Sequence, residues 1–323
     1  MTVSLRLGLA LALLIAGSGC QYLARLTPGR TGAPGTPLPQ IVVDTRGTEI
    51  KVPGKIAFAR EGNLWILADG VTTQLTKGGK DMQPAWSPDG TVIAYVKKEQ
   101  DYSDILLYVV GTGDFKPLTN NRLNRSTWVF RPTWSPDGKQ IAYVSDQYSW
   151  DMGLFLMNAT GTGARRLTQS EGAGGVDNPT WSPDGKTIAL AAFRGGVQQI
   201  WLYTLATGRW TQVTAHPEGA YDPRWSPVDD KIAYTAREDK KHDIWVTDLE
   251  GKNKKRLTTL GAARAPAWSP DGKFLAWIAE QHGSFDIWAA TVDRVDGEIV
   301  LGTPSKLTNG LQVDPVSGLS WLY

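Results

Sequence analysis

Cysteine is almost absent from this chain of 323 residues, in which Cys20 is the only one. A single thiol cannot form a disulfide within the chain, so strand pairing and apolar packing have to hold the fold together. Charge of one sign is not in excess either, because 34 Lys and Arg residues face 32 Asp and Glu residues. Nucleic-acid-binding surfaces need a clear basic excess, so we expect no nucleic-acid partner.

Motifs of enzyme active sites are also missing. The sequence has no Gly-x-Ser-x-Gly, no His-Glu-x-x-His, no phosphate-binding loop and no cysteine after residue 20. These motifs supply a nucleophile, a metal site or a phosphate cradle, and their absence removes the commonest grounds for assigning catalysis. We therefore expect a non-enzymatic protein that needs no cofactor.

A repeated segment dominates the rest of the chain. Its clearest copy begins at Pro132 and reads Pro-Thr-Trp-Ser-Pro-Asp-Gly-Lys-Gln-Ile-Ala-Tyr-Val-Ser, and four near-copies begin at residues 84, 179, 223 and 266. The tryptophans of the five copies follow one another at intervals of 48, 47, 44 and 43 residues: Trp86, Trp134, Trp181, Trp225 and Trp268. A period of this length is typical of one small β-sheet per repeat.

Each copy predicts a β-hairpin with a tight turn at Ser-Pro-Asp-Gly. Proline presets φ at the second position of a type I turn, aspartate bonds back to the backbone, and glycine takes the positive φ that follows. One copy differs, because Asp229 stands where the others have glycine. We expect Asp229 to take the left-handed conformation, which glycine would adopt at lower cost.

Two further apolar runs follow each hairpin, the second ending in Leu-Thr or Val-Thr, so each repeat has four strands. The first unit begins at Lys55 and lacks a tryptophan strand, whereas the last five residues, Leu-Ser-Trp-Leu-Tyr, resemble that missing strand. A ring that pairs its two ends in one sheet leaves no open edge between first and last repeat. The prediction is an all-β, six-bladed β-propeller with four-stranded antiparallel blades, closed by the C-terminal strand.

The motif Pro-x-Trp-Ser-Pro-Asp-Gly-Lys-x-Ile-Ala-Tyr, followed by Asp-Ile-Trp and Leu-Thr, resembles the TolB-like propeller repeat and covers residues 55–323. The resemblance implies a scaffold or adaptor role in the cell envelope. Similar repeats also occur in tricorn-type and dipeptidyl-peptidase-type proteases and in oligogalacturonate lyases, so it specifies fold more closely than function. TolB itself would also imply an α/β domain before the propeller, and residues 21–52 are too few to supply one.

The N-terminus resembles a bacterial lipoprotein signal. Arg6 precedes a short apolar run that ends in Gly-Ser-Gly before Cys20. We expect residues 1–19 to be a signal peptide, Cys20 to carry lipid, residues 20–52 to be a Pro/Gly-rich tether and residues 53–323 to form the propeller. The protein would then be an extracytoplasmic, lipid-anchored monomer. An ordinary cleaved signal with an incidental cysteine and an uncleaved anchor are the alternatives.

Antiparallel order places the second-to-third and fourth-to-first strand connections on one face of the ring, which we call the loop face. Residues 120–131 are expected to form a loop of twelve residues on this face. Aromatic and arginine side chains concentrate in these connections and predict a partner-binding surface: Tyr102, Arg125, Trp128, Phe130, Arg131, Tyr148, Trp150 and Tyr221. The partner is a protein or another envelope macromolecule; alternatively, the tryptophans stack on a glycan, or the rings pack beneath their own loops.

Two polar sets lie in the same connections. Aspartates precede the proline of four innermost strands and could form a carboxylate ring at the channel mouth or cap their own turns: Asp81, Asp177, Asp222 and Asp314. Three histidines could hold a transition metal, as in a metal-dependent polysaccharide lyase-like enzyme, or be solvated: His216, His242 and His282. The aspartates that open third strands, such as Asp104 and Asp243, are expected to be structural.

Overall fold

The computed structural model describes residues 42–44, 50–123, 126–149, 151–168 and 175–323. In this part of the chain, 26 β-strands form six separate sheets and Asn121–Leu123 forms a 3-10 turn. No described helix has the length and apolar character needed to cross a membrane. The all-β, six-bladed prediction is confirmed.

The first three blades follow one another along the chain. Blade 1 contains β1 (Val42–Asp44), β2 (Lys55–Arg60), β3 (Asn63–Ala68), β4 (Val71–Gln74) and the last strand of the chain, β26 (Ser320–Leu322). Blade 2 contains β5 (Asp81–Trp86), β6 (Val92–Lys98), β7 (Ser103–Val109) and β8 (Phe115–Pro117). Blade 3 contains β9 (Val129–Trp134), β10 (Gln140–Ser145), β11 (Gly153–Asn158) and β12 (Arg165–Arg166).

The remaining blades repeat the same antiparallel order. Blade 4 contains β13 (Val176–Trp181), β14 (Thr187–Ala192), β15 (Gln199–Thr204) and β16 (Arg209–Gln212). Blade 5 contains β17 (Ala220–Trp225), β18 (Lys231–Glu238), β19 (Lys241–Asp248) and β20 (Lys255–Arg256). Blade 6 contains β21 (Ala263–Trp268), β22 (Phe274–Gln281), β23 (Ser284–Val295), β24 (Glu298–Leu301) and β25 (Ser305–Lys306).

The C-terminal strand closes the ring as predicted. Strand β26 pairs antiparallel with β2, and Trp321 lies opposite Ile56. Trp321 and Phe58 belong to the same buried cluster, and the Trp321 indole Nε1 donates a hydrogen bond of 2.8 Å to the carbonyl oxygen of Pro53. The innermost strand of blade 1 therefore comes from the opposite end of the chain to the other four strands of that blade, and the closure needs no covalent link.

Two blades carry more than the predicted four strands. In blade 1, β1 pairs with β4 at the outer edge, with Val42 opposite Thr73. These three residues come from the stretch 20–52 that the sequence predicts as a tether. In blade 6, the long strand β23 pairs with both β24 and β25. The additional strands lie at outer edges, where they cover backbone groups that an edge strand would otherwise expose.

The core is divided into six buried clusters, and each cluster lies between two neighbouring blades. The repeat tryptophans contribute to this packing and also bond across it. Trp134 Nε1 donates to the carbonyl of Ala85 in the preceding blade at 3.1 Å, and Trp181 donates to Thr133 at 3.2 Å. Burial of a large ring together with its polar nitrogen explains why tryptophan suits this position.

The Leu-Thr motif explains how the fourth strands are held. In all six blades the threonine hydroxyl oxygen accepts a hydrogen bond of 2.8–3.0 Å from the first buried amide of the third strand: Thr76, Thr119, Thr168, Thr214, Thr258 and Thr308. In blades 2, 4, 5 and 6 the hydroxyl also donates to a side chain near the start of the third strand. Asp104 and Asp243 accept this bond at 2.7 Å, and Gln199 takes the same role in blade 4.

Four of the five Ser-Pro-Asp-Gly turns have the predicted form. In blade 3, Gly138 has a φ of 69°, its amide donates to the Ser135 carbonyl at 2.9 Å, and the Ser135 hydroxyl donates to Asp137 at 2.6 Å. The fifth turn differs, because the φ of Asp229 is not in the left-handed region. Its carboxylate accepts a hydrogen bond of 2.6 Å from Arg294 Nε instead. The reasoning that favoured glycine at 229 is therefore wrong.

Ring closure predicts a large cost for Trp321→Ala. The substitution removes a buried ring from the contact between the first and last blades and leaves the Pro53 carbonyl without its donor. We expect the free energy of unfolding to fall by about 3–5 kcal/mol, measured by denaturant titration of the full chain. Val316→Ala changes an exposed residue of the same terminal segment and should have an effect below about 0.5 kcal/mol. Equal effects of the two substitutions would contradict the closure.

Candidate functional site

A bulge in the innermost strand of blades 2 to 6 shapes the channel mouth. The residue before the proline has a positive φ, and the pairing with the second strand shifts register around it. Bulges of this kind redirect the side chains at a strand end. The φ values of the five bulge residues are 50–55°, and Gly318, which takes the equivalent place before β26 in blade 1, has a φ of 74°: Gln83, Arg131, Asn178, Asp222, Ala265 and Gly318. The frame repeats around the ring while these six side chains differ.

Hydrogen bonds connect these bulges from blade to blade. The Gln83 side-chain oxygen accepts from the Arg131 amide at 2.9 Å, and Asn178 Nδ2 donates to Asp222 Oδ1 at 3.0 Å. The second carboxylate oxygen of Asp222 accepts from the Thr235 hydroxyl at 3.1 Å, and the Thr235 oxygen accepts from the Ala265 amide at the same distance. Asp222 therefore joins three consecutive blades, 4, 5 and 6.

Arg131 is bound to other blades in two directions. Its Nε donates to Asp177 Oδ1 in blade 4 at 3.1 Å. Its Nη1 donates to the carbonyl of Val316 in the segment that leads to β26. Asp177 in turn accepts from the amide of Asn178 at 2.8 Å. The guanidinium therefore spans the mouth and cross-links blades 3, 4 and 1.

A cavity of about 220 Å³ opens on the loop face above these contacts, and we call it the mouth pocket. Its walls carry two carboxylates, two guanidinium groups, an imidazole, a phenol and three uncharged polar groups: Asp177, Asp222, Arg131, Arg264, His242, Tyr221, Asn178, Gln198 and Thr235. Burial, followed by the charges of Arg264 and Arg237, lowers the pKa of His242, so its imidazole is neutral at pH 7. The pocket is thus polar, with balanced charge.

The four predicted channel-mouth aspartates do not form one ring. Asp177 and Asp222 meet in the mouth pocket. Asp81 is 5% exposed, and burial raises the pKa of its carboxyl group, which hydrogen-bonds Thr76. Asp314 accepts from the Val316 amide and the Ser317 hydroxyl and so caps its own turn. The aspartates lie at different numbers of residues before the proline. Because of the bulge, their side chains therefore point in different directions.

The predicted partner-binding residues divide into three groups. Arg131 and Tyr221 line the mouth pocket. Trp128 and Phe130 stack on each other with centroids 6.0 Å apart, and Tyr102 is half-buried. Tyr148 is 83% exposed on the loop face. Phe130 and Arg131 belong to strand β9 rather than to the expected loop. Arg125 and Trp150 lie outside the described residues, as does Cys20.

The three histidines are not brought together. His216 is buried, and its Nε2 lies 2.9 Å from the Tyr234 hydroxyl, whereas His242 lines the mouth pocket and His282 is exposed. In the described part of the chain, no group of three or more His, Cys, Asp and Glu side chains is arranged to hold a metal ion. The predicted three-histidine site therefore has no geometric basis.

Sequence reasoning did not select Arg224, Arg264 and Asn178. Arg224 lines a second cavity, of about 270 Å³, which occupies the central channel and which we call the channel cavity. Arg224 occupies the variable position of Pro-x-Trp, where the other copies have alanine or threonine. Because neighbouring residues of a strand point to opposite sides, a residue next to an interblade tryptophan points into the channel. That alternation was the available signal.

His216 predicts a pH-dependent stability. Burial lowers the pKa of His216, although the Glu238 carboxylate 3.5 Å from Nδ1 opposes the shift. The unfolded chain therefore binds a proton at a higher pH than the folded chain does, and the free energy of unfolding falls as the pH drops below about 6.5. His216→Gln should cost about 1 kcal/mol at pH 7, through the lost bond to Tyr234, and should reduce the further loss of stability between pH 7 and pH 5.

Denaturant titrations at both pH values measure this difference. His282→Asn alters an exposed imidazole and serves as the control, with the pH dependence of the original chain. An undiminished pH dependence in His216→Gln would contradict the role given to burial.

Comparison with known proteins agrees with the fold. The family model for the TolB beta propeller domain matches residues 66–295. TolB from Acinetobacter baumannii superposes with a TM-score of 0.67 at 21% identity, over 83% of this chain and 66% of that one. A TolB-type protein from Agrobacterium tumefaciens gives 0.65 at 17% identity, over 81% and 91% of the two chains.

An oligogalacturonate lyase from Vibrio parahaemolyticus is more distant, with a TM-score of 0.52 at 13% identity over 82% of this chain and 73% of that one. No curated protein sequence gives a match. At identities this low the superpositions demonstrate the fold alone. The chain spans 66% of the length of the A. baumannii protein. Since the family model covers well over half of the sequence and the blade order agrees with it, the chain belongs to the TolB β-propeller family.

Proposed function

We propose that this protein is a non-enzymatic, membrane-tethered binding protein that recognises a protein partner through the loop face of its propeller. The observation that carries the proposal is a group of three exposed apolar side chains on this face. Leu123 is 84% exposed, Tyr148 83% and Phe193 38%. They lie in connections that follow or join strands of blades 2, 3 and 4. Exposed apolar groups next to polar ones are typical of interaction surfaces.

The mouth pocket adds specificity to this surface. Asp177 and Asp222 offer carboxylate oxygens, and Arg131 and Arg264 offer guanidinium donors, within one cavity of about 220 Å³. Buried polar groups discriminate strongly between partners, because a partner that leaves them unpaired loses affinity. Membership of the TolB propeller family is consistent with a binding or scaffold role.

The glycan alternative is less well supported by the described residues. Trp128 was one of two tryptophans expected to stack on a sugar, and Phe130 covers one face of its ring at an interplanar angle of 7°. The Lys98 ammonium group also lies over the ring, 5.9 Å from its centroid. A covered ring offers less surface to a sugar, so protein docking remains the function that we favour.

The membrane tether is the second part of the proposal. Residues 1–19 have the pattern of a signal peptide, Cys20 follows small residues, and residues 20–52 are rich in proline and glycine. Acylation at Cys20 would anchor the chain on the extracytoplasmic side of a membrane and leave the propeller to bind partners as a monomer. This arrangement rests on the sequence.

Photo-cross-linking tests the binding surface. A photoreactive amino acid replaces Tyr148 on the loop face or Val228, an exposed residue of the opposite face, in the full chain. After irradiation in envelope extract, we expect a discrete protein adduct at 148 and none at 228. The combined substitution Tyr148→Ala and Phe193→Ala should lower adduct yield from a photoreactive group at Leu123 at least about tenfold.

Three outcomes would oppose this proposal. Equal adducts from both faces would remove the reason to choose the loop face. An adduct that resists protease and is released by polysaccharide digestion would favour the glycan alternative. High salt should weaken a protein contact that uses the charges of the mouth pocket, whereas it should leave stacking on a sugar nearly unchanged.

Substitution of Cys20 tests the tether separately. Cys20→Ser should abolish incorporation of labelled fatty acid and move the protein from the membrane fraction to the soluble fraction, because the serine hydroxyl does not replace the acylated thiol. The original chain, labelled in parallel, is the control. Mass spectrometry of the mature N-terminus provides the second readout: cleavage at a bond other than that before residue 20 would contradict lipidation.

A further inference from the structure

We propose that the channel cavity contains a binding site for a small monocarboxylate, with Arg224 as the group that binds its charge. This site lies inside the ring, one layer below the mouth pocket, and does not depend on docking of a partner at the loop face. It would give the propeller a small-molecule ligand in addition to a macromolecular one.

The position of Arg224 follows from the strand register. The variable residue of Pro-x-Trp faces the channel in every blade, and the six residues at this position all line the channel cavity: Ala85, Thr133, Thr180, Arg224, Ala267 and Ser320. Five of them are small. Arg224 is the one charged side chain in this layer, so it extends into space that its five counterparts leave open.

The contacts of Arg224 leave its charge without an anionic partner. Its Nη1 donates to the carbonyl of Pro223 at 3.0 Å, and its Nη2 lies close to Gly318 in blade 1. The guanidinium therefore reaches across the channel. Among the described residues, no carboxylate oxygen lies within 4.0 Å of it, whereas other arginines such as Arg256 and Arg294 have such a partner.

The neighbouring carboxylates are already engaged. Asp177 accepts from Arg131 and from the Asn178 amide, and Asp222 accepts from Asn178 and Thr235. Their charges reach Arg224 through space and favour its charged form, but burial is the larger effect and lowers the pKa of Arg224. A buried cation is costly unless an anion or a set of hydrogen bonds compensates it.

The cavity matches a small carboxylate in charge, shape and surface. Arg131 and Arg224 are its charged lining residues, and Arg131 is neutralised by Asp177, so one positive charge remains for a ligand. A guanidinium binds a carboxylate through two parallel hydrogen bonds. The hydroxyls of Thr133 and Thr180 provide further donors, and the tryptophan and proline side chains of the walls suit a short apolar tail. The volume of about 270 Å³ is sufficient for a ligand of a few carbon atoms.

Isothermal titration calorimetry of the full chain with sodium propionate tests the site. Propionamide, which has nearly the same shape without the charge, and sodium phosphate are the comparison ligands. We expect saturable binding of propionate in the millimolar range, and at least about tenfold weaker binding of propionamide and of phosphate. Phosphate carries more charge than the site neutralises and has no apolar group for the walls.

Variants then locate the binding group. Arg224→Gln should weaken propionate binding at least about tenfold, and Arg224→Lys should weaken it less, because lysine keeps the charge without the planar pair of donors. Arg209→Gln removes an exposed arginine of the outer strand β16 and should leave the affinity unchanged. If Arg224→Gln does not fold, Arg224→Lys and the propionate and propionamide titrations of the original chain still decide the matter.

Several results would overturn the inference. One is the absence of saturable propionate binding up to about 50 mM, well above the expected millimolar range. The others are equal binding of propionate and propionamide, and unchanged affinity in both Arg224 variants. Phosphate binding as tight as propionate binding would overturn the assignment of a carboxylate. Equal cross-linking from both faces of the propeller would oppose the proposed function alone and would leave propionate binding unaffected, so the two proposals fail independently.

Discussion

The structure depends on a tryptophan at the end of each innermost strand, which packs between two blades; in blades 3, 4 and 6 its indole also donates a hydrogen bond to the preceding blade. Trp268 Nε1 bonds the carbonyl of Arg224 at 3.0 Å, as Trp134 bonds Ala85 and Trp181 bonds Thr133. The acceptor in each case is the residue whose side chain faces the channel. The same contact therefore joins neighbouring blades and positions the backbone of the channel wall, so assembly of the ring and shape of the cavity have one physical origin.

The repeat separates a constant frame from variable side chains. Proline, tryptophan and serine recur because each satisfies a backbone or packing requirement of the hairpin. The two positions on either side of the proline face the channel, and the repeat fixes their backbone without fixing their side chains, so one ring of the mouth holds Gln83, Arg131, Asn178 and Asp222 on equivalent bulges. A substitution at these positions changes the chemistry of the channel while the blade remains intact. The candidate site is therefore found where the copies of the repeat disagree.

The fold could be predicted from the sequence because two patterns are visible in it. The regular tryptophan interval indicates one sheet per repeat, and the split repeat indicates that the first and last strands pair to close a ring. The site was less accessible, since its residues meet only through the bulges. Asp81, Asp177 and Asp314 all precede a proline by a few residues, yet a difference of one position turns a side chain from the channel into the blade. Phe130 and Arg131 lie in strand β9, which begins earlier than the polar sequence suggests.

The depth of a side chain below the loop face was the other property that the sequence did not indicate. His216, His242 and His282 belong to neighbouring loops, but one is buried against Tyr234, one lines the mouth pocket and one is exposed. Sequence spacing indicates which face a loop occupies and not how far its side chains extend below that face. The position of Arg224 could have been derived from strand alternation. Its lack of an anionic partner could not, because it depends on the hydrogen bonds that Asp177 and Asp222 already accept.

Blade 1 receives both ends of the propeller chain, with β1 at its outer edge and β26 at its inner edge. Tension applied to the N-terminal segment would act first on the three residue pairs between β1 and β4, Val42–Asp44 with Val71–Thr73. The ring-closing pairs of β26 with β2 would carry load only after β1 has separated, because β2 follows β1 along the chain. The outer strand β1 can thus separate first, so that tension on the N-terminal segment breaks the β1–β4 pairs before the ring opens.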